Sequence, residues 1–109
     1  MLVFLYDPGY TSVEVIDMEF THTPGRIYAC APDGTLLAEI TFPDAGGVAQ
    51  IDHTFVAPAL RGQSVAGQLM AAAVGQIRTR GLKAHPTCPY AVAWFSRHPE
   101  QTDLLDTAL

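Results

Sequence analysis

Cysteine is scarce: Cys30 and Cys88 are the only two in 109 residues. They could close one bridge at most, and with no export signal both are expected as reduced thiols of a cytoplasmic protein. Cations are few as well, six Lys and Arg against eleven Asp and Glu, for a formal net charge of −5. A nucleic-acid surface needs clustered Lys and Arg to displace counterions. Those here are scattered from Arg26 to Arg97, so no nucleic acid is expected. Long apolar runs are missing too. Met1 to Tyr6 is apolar but short, has no basic leader or small-residue cleavage site, and falls far below the roughly 20 residues of a membrane span. The four histidines show no recognised zinc spacing with Cys88, so no metal is expected. Neither Ser12 nor Ser96 has a nucleophile-elbow context.

What is present is a chain 49% hydrophobic and 16% charged, the balance of a globular rather than a disordered sequence. Its length fits a single domain, residues 1–109, with one core. After a turn-rich start with a short β-type run at Val13 to Ile16, the pattern sharpens at Arg26. Ile27 to Ala31 and Thr35 to Phe42 flank Pro32-Asp33-Gly34, which predicts a β-hairpin. In its second arm Leu36, Ala38, Ile40 and Phe42 alternate with Leu37, Glu39 and Thr41. Asp44 to Gly47 is another turn signal. Val48 to Val56 reads as a third strand with Ala49, Ile51, His53 and Phe55 on one side, and short connections imply antiparallel neighbours.

Pro58 stops that strand, and the spacing then becomes helical. Val65, Leu69, Ala73 and Ile77 fall four apart, with Ala66, Met70 and Val74 on the same broad face. Gly81 supplies a left-handed terminator, and Arg78 and Arg80 suit the negative helix end. Leu82 to Cys88 is punctuated by Pro86, so it fits only an edge or split strand. Tyr90 to His98 predicts a second helix, stopped by Pro99. The order β-β-β-α-β-α implies an α+β fold with helices packed on a mostly antiparallel sheet.

Pro58 to Gly67, between strand and helix, is the most informative segment. Amides in the first turn of a helix lack internal partners and carry about half a positive charge between them. A tight loop that aims them outward makes a phosphate cradle, and Gly62, Ser64, Ala66 and Gly67 are small enough for close approach. Taken alone, the same pattern equally describes an ordinary strand-to-helix connection.

Arg61-Gly62-Gln63-Ser64-Val65-Ala66 resembles the GNAT coenzyme A signature, Arg/Gln-x-x-Gly-x-Gly/Ala, with Ser64 where the signature has glycine. The chain also resembles the compact YjdJ-type N-acetyltransferase-like proteins from about Phe20 to Leu105. That likeness runs through Ile51-Asp52-His53-Thr54, Val56-x-Pro58-x-Leu60-Arg61-Gly62, Gly81-Leu82-Lys83, Pro86-x-Cys88-Pro89-Tyr90 and His98-Pro99-Glu100 with Asp103-Leu104. The resemblance implies a compact GNAT fold and an acetyl-CoA-dependent N-acetyltransferase. It places the acetyl-CoA diphosphate on Arg61, Gly62, Gln63, Ser64, Val65, Ala66 and Gly67, with the pantetheine arm along the strand end at Phe55 and Val56. The implied partners are acetyl-CoA and a small-molecule or protein amine. The protein would act as a monomer or as a homodimer paired through its apolar N-terminal run. The competing expectation is a non-catalytic acyl-CoA-binding or interaction module with a GNAT-like fold.

Two residues are catalytic candidates. Cys88 precedes the second helix, whose positive end favours thiolate, and such a sulfur could accept an acetyl group and pass it on; it equally fits a buried structural cysteine. His53, polar on an apolar strand face, could serve as general base or be a core histidine with a satisfied hydrogen bond. Tyr90 could protonate a leaving thiolate or simply pack its ring. His98 could touch the cofactor or complement the helix end.

Overall fold

The computed structural model describes residues 18–107; the expectations for Met1 to Tyr6 and Val13 to Ile16 lie outside them. The strands are β1 (Thr21–Thr23), β2 (Arg26–Cys30), β3 (Leu36–Thr41), β4 (Asp44–Ala45), β5 (Val48–Ile51), β6 (His53–Val56) and β7 (Lys83–Pro86). The helices are α1 (Val65–Thr79) and α2 (Pro89–Arg97), with 3-10 turns at Pro58–Leu60 and Pro99–Leu104. One sheet has the antiparallel order β1-β2-β3-β6; the other has the order β4-β5-β7, with β5 and β7 parallel. The α+β architecture expected from the sequence is present.

The hairpin forms where the alternation placed it, and Ala38, Ile40 and Phe42 are buried. α1 lies against β2, β3 and β6, burying Val65, Leu69, Met70, Ala73, Val74 and Ile77. Its C-terminus closes as a Schellman motif: Leu82 N–H donates to Ile77 O (3.0 Å) and Gly81 N–H to Arg78 O (3.0 Å). That closure needs a left-handed residue, and Gly81 has φ 70°. Phe95 of α2, fully buried, completes the core.

The third strand departs from expectation. Asp52 N–H donates to Thr41 O (3.3 Å), while Thr41 is also the partner of His53. Two residues therefore oppose one, a β-bulge, and the extra residue reverses the side-chain parity. Ala49 and Ile51 are buried as expected, but His53 is exposed, and Thr54 and Val56 oppose the buried Ile40 and Ala38. His53 and Phe55 accordingly share the outer face with Glu39. The Asp44 to Gly47 turn is also narrower than expected, because Asp44–Ala45 pairs with β5 as a short strand.

The C-terminal segment is tied down by charge. Arg78 donates to both carboxylate oxygens of Asp103 (3.0 and 2.8 Å) and to Gln101 (2.8 Å), and His85 Nδ1 lies 2.9 Å from Asp106. The hydrogen bond from Arg78 holds the Asp103 carboxyl below its ordinary range, and the one with His85 does the same for Asp106. An acid whose folded pKa is depressed stabilises the fold above its unfolded value, about 3.9 for Asp, and loses that contribution as pH falls through the folded value. Thermal melts should therefore show the midpoint dropping as pH falls below about 4. Asp103→Asn should flatten that slope; an unchanged slope would mean the contact contributes nothing.

Candidate functional site

The parallel pairing of β5 with β7 ends at Ile51 and Pro86. Thr87 N–H and Cys88 N–H both donate to Ile51 O (3.0 and 3.1 Å). Beyond that point the bulge turns β6 toward β3, while the other branch enters α2, so the backbone forks. Ala57 N–H donates to Leu37 O (2.8 Å). In antiparallel alternation this makes residues 53, 55 and 57 the bonded positions on β3 and directs the N–H and C=O of Thr54 and Val56 into the fork.

Cys88 stands at the throat of this fork. It is the N-cap of α2, its Sγ accepts from Ala91 N–H at 3.3 Å, and Thr54 Oγ1 is 4.0 Å away. The sulfur is half-buried, with a donor and the positive end of a helix facing it.

The wide end of the fork holds a cavity of about 230 Å³, lined by Val56, Leu60, Tyr90 and the loop from Arg61 to Gly67 apart from Gln63. Within α1 and its N-cap, Gln68 is the first residue whose amide finds a backbone acceptor, Ser64 O at 3.1 Å. Among the described residues, the amides of Gly62, Ser64, Val65, Ala66 and Gly67 donate to no protein acceptor, whereas those of Arg61 and Gln63 donate to Pro58 O and Leu60 O. Arg61 Nε is anchored on Val56 O at 3.2 Å, which leaves its terminal nitrogens for a ligand. Unpaired amides at a helix start, one guanidinium and small side chains together form a donor set that fits a diphosphate.

The loop achieves this with left-handed backbone at Gly62 (φ 83°) and Ser64 (φ 64°). Ser64 is the one described non-glycine residue with positive φ, and as N-cap it makes no side-chain capping bond. A left-handed L-residue costs roughly 1–2 kcal/mol, partly offset in glycine by its freer unfolded chain. Ser64→Gly should therefore raise the melting midpoint by a few degrees, about 0.5–1 kcal/mol. A fall on calorimetry would show that the hydroxyl contributes more than the backbone strain costs.

The cofactor candidates Val56, Arg61, Gly62, Ser64, Val65, Ala66 and Gly67 thus surround one cavity, and Cys88 lies at the narrow end of the same fork. Gln63 is engaged through its amide, and Phe55 turns to the other sheet face. His53 is on that outer face too, 3.3 Å from Glu39, not on the side of Ala49 and Ile51. His98 stacks on Trp94 with centroids 3.9 Å apart, and its Nδ1 lies 2.7 Å from Trp94 O, a helix-end packing role. Thr54 and Leu60 stand in the motifs of the family likeness but were given no role at the site, and Tyr90 was not counted among the cofactor contacts. Burial pushes the Tyr90 phenol above its ordinary range, with Arg97 opposing and Cys88 adding to the rise, so it remains a proton donor at neutral pH.

Among the described residues, no helix is long and apolar enough to cross a membrane. A family model described as GCN5-related N-acetyl-transferase matches residues 27–104. No curated protein matches the sequence. Among solved structures, a GCN5-like protein from Staphylococcus aureus, determined by NMR, is 27% identical with TM-score 0.69, over 84% of this chain and 90% of that one. An acetyltransferase-like protein from Agrobacterium tumefaciens is 28% identical with TM-score 0.56, over 67% of this chain and 56% of that one. Tetrahymena GCN5 is 9% identical with TM-score 0.55, over 77% and 61%, a likeness of fold alone. The chain spans nearly all of the first relative and little more than half of the other two.

Proposed function

The chain belongs to the GCN5-related N-acetyltransferase family, and on that premise we propose that it transfers an acetyl group from acetyl-CoA to an amine. The observation that carries this reading is the row of unpartnered amides from Ser64 to Gly67 opening onto the cavity beside β6. Those amides and Arg61 would hold the diphosphate. Thr54 presents a main-chain donor and acceptor and Val56 a second donor, its carbonyl being held by Arg61 Nε; at the spacing of a strand edge these suit the amides of a pantetheine arm. Bound acetyl-CoA supplies an activated thioester.

In the first half-reaction Cys88 releases its thiol proton to solvent and Sγ takes the acetyl group, forming a new carbon–sulfur bond as the original one breaks. Tyr90 then gives its hydroxyl proton to the departing thiolate and regains one from solvent. His53 is the base for the incoming amine in the second. Donor, cysteine and tyrosine share one side of the fork, and the histidine stands on the other.

Titration calorimetry tests the binding step. Acetyl-CoA is expected to bind at micromolar strength, dephosphorylated pantetheine at least about tenfold more weakly, since charge-assisted contacts to phosphate are worth roughly 1.5–3 kcal/mol. Equal affinity for both would remove the role given to the amides.

A further inference from the structure

The sheet face turned away from α1 carries a cluster that donor binding leaves unused. Cross-strand pairing sets Tyr28, Glu39 and Phe55 in one row and Arg26, Thr41 and His53 in the next. Residues so opposed approach to about 5 Å at Cβ. The Glu39 side chain is charged yet only 16% exposed. Its Oε2 accepts from Arg26 Nε, and that guanidinium lies 3.7 Å from the centroid of the Tyr28 ring. On this side the chain itself displays what the carboxylate takes: a cation laid over an aromatic ring.

The other side repeats the arrangement with a different occupant. Oε1 of Glu39 lies 3.3 Å from Nε2 of His53, and half-buried Phe55 is the next residue in the row. His53 takes the place that Arg26 holds opposite it, and its side chain is 50% exposed. It also follows the bulge at Asp52, at the mouth of the fork. Thr54, the next residue, turns to the face where Cys88 stands.

We propose that this half of the cluster is the acceptor subsite, and that it takes a primary amine carried on an aromatic or other flat apolar body. The inference rests on the acetyl-transfer reading above. Glu39 Oε1 holds the ammonium, Phe55 carries the apolar body, and Arg26 fixes Glu39 from behind. The ammonium enters between Glu39 Oε1 and His53 Nε2 in place of their 3.3 Å contact, and His53, with its ring proton on Nδ1, takes one ammonium proton through Nε2 and releases it to solvent. The freed lone pair attacks the acetyl carbon; the carbon–sulfur bond to Cys88 breaks, and the second nitrogen-bound proton passes to the departing sulfur. One acetyl group, one amide bond and one regenerated thiol balance the step.

Phenethylamine is the probe, with ethanolamine as its small polar counterpart and release of free coenzyme A thiol as the readout. Wild type should prefer phenethylamine by at least about tenfold in kcat/KM, the scale of one apolar contact. Phe55→Ala and Glu39→Gln should each raise the amine KM by about tenfold or more while the acetyl-CoA Kd from calorimetry stays fixed. Glu39→Asp, which keeps the charge, should recover part of that loss. His53→Ala should lower kcat by about 100-fold, with added imidazole restoring part of it. If wild type binds acetyl-CoA but does not turn over phenethylamine, the subsite is overturned. Unchanged amine KM in the Glu39 and Phe55 variants overturns it too, and so does a His53→Ala defect that imidazole leaves untouched. Failure of wild type to bind acetyl-CoA instead defeats the donor reading beneath it.

Discussion

Gly67→Asp should abolish measurable acetyl-CoA binding and leave the protein at least as stable as before. Gly67 is the third residue of α1, and a Cβ built on it meets nothing within 4 Å. The fold therefore has room for a side chain there. Replacing glycine inside a helix and adding a negative charge to its first turn both favour the helix, by up to about 1 kcal/mol each. The same carboxylate would occupy a cradle shaped for phosphate and repel it. Losing the amide contacts and gaining the repulsion should weaken binding by about 100-fold or more, near 3 kcal/mol. Gly67→Asn, of similar size and uncharged, should lose clearly less. Calorimetry with a parallel thermal melt checks both halves. A variant that melts higher yet binds normally would place the diphosphate elsewhere.

Cys88→Ser should fold like wild type and lose acetyl transfer by about 1,000-fold. Cys88 has two tasks that a serine separates. As N-cap it accepts from Ala91 N–H, and serine is among the better residues for that work. As nucleophile it offers sulfur, and an unactivated hydroxyl is a far weaker substitute. Intact-mass measurement after exposure to acetyl-CoA without acceptor should show one added acetyl group on wild type and none on Cys88→Ser. Cys88→Ala should also lose the adduct and, in addition, about 1 kcal/mol of stability with the cap. A wild type that gains no mass but still acetylates amines would transfer directly from donor to acceptor, and the cysteine would then be a cap alone.

How far the sequence reveals this site depends on which kind of signal placed each residue. The period of α1 and the glycine after it located both helix ends, because apolar spacing and a left-handed stop are local properties. The hairpin around Pro32-Asp33-Gly34 was legible for the same reason, and so was the loop before α1. The bulge was not. Residues 48–56 alternate without interruption, and nothing in Asp52 itself announces an extra residue; the two-against-one pairing arises from the meeting of β6 with β3. The strand residues after it, His53 to Val56, were consequently assigned to the wrong faces, which hid Thr54 and moved His53 and Phe55 across the sheet. The left-handed backbone at Ser64 was hinted at only by the glycine that the resembled signature has there, since serine itself gives no sign of it. The loop's three-dimensional path supplies the physical reason, a φ of 64°.

The prolines flanking Cys88 have a consequence for how binding begins. Neither Pro86 nor Pro89 has an amide hydrogen to offer, and the two amides between them, those of Thr87 and Cys88, are both spent on Ile51 O, so residues 86–89 keep no donor with which to bridge the two branches beyond Ile51. The gap therefore stands open before any ligand arrives. Entry of the acyl donor should then involve little rearrangement and little entropy of ordering, giving association rates set by diffusion and orientation rather than by a slow conformational step.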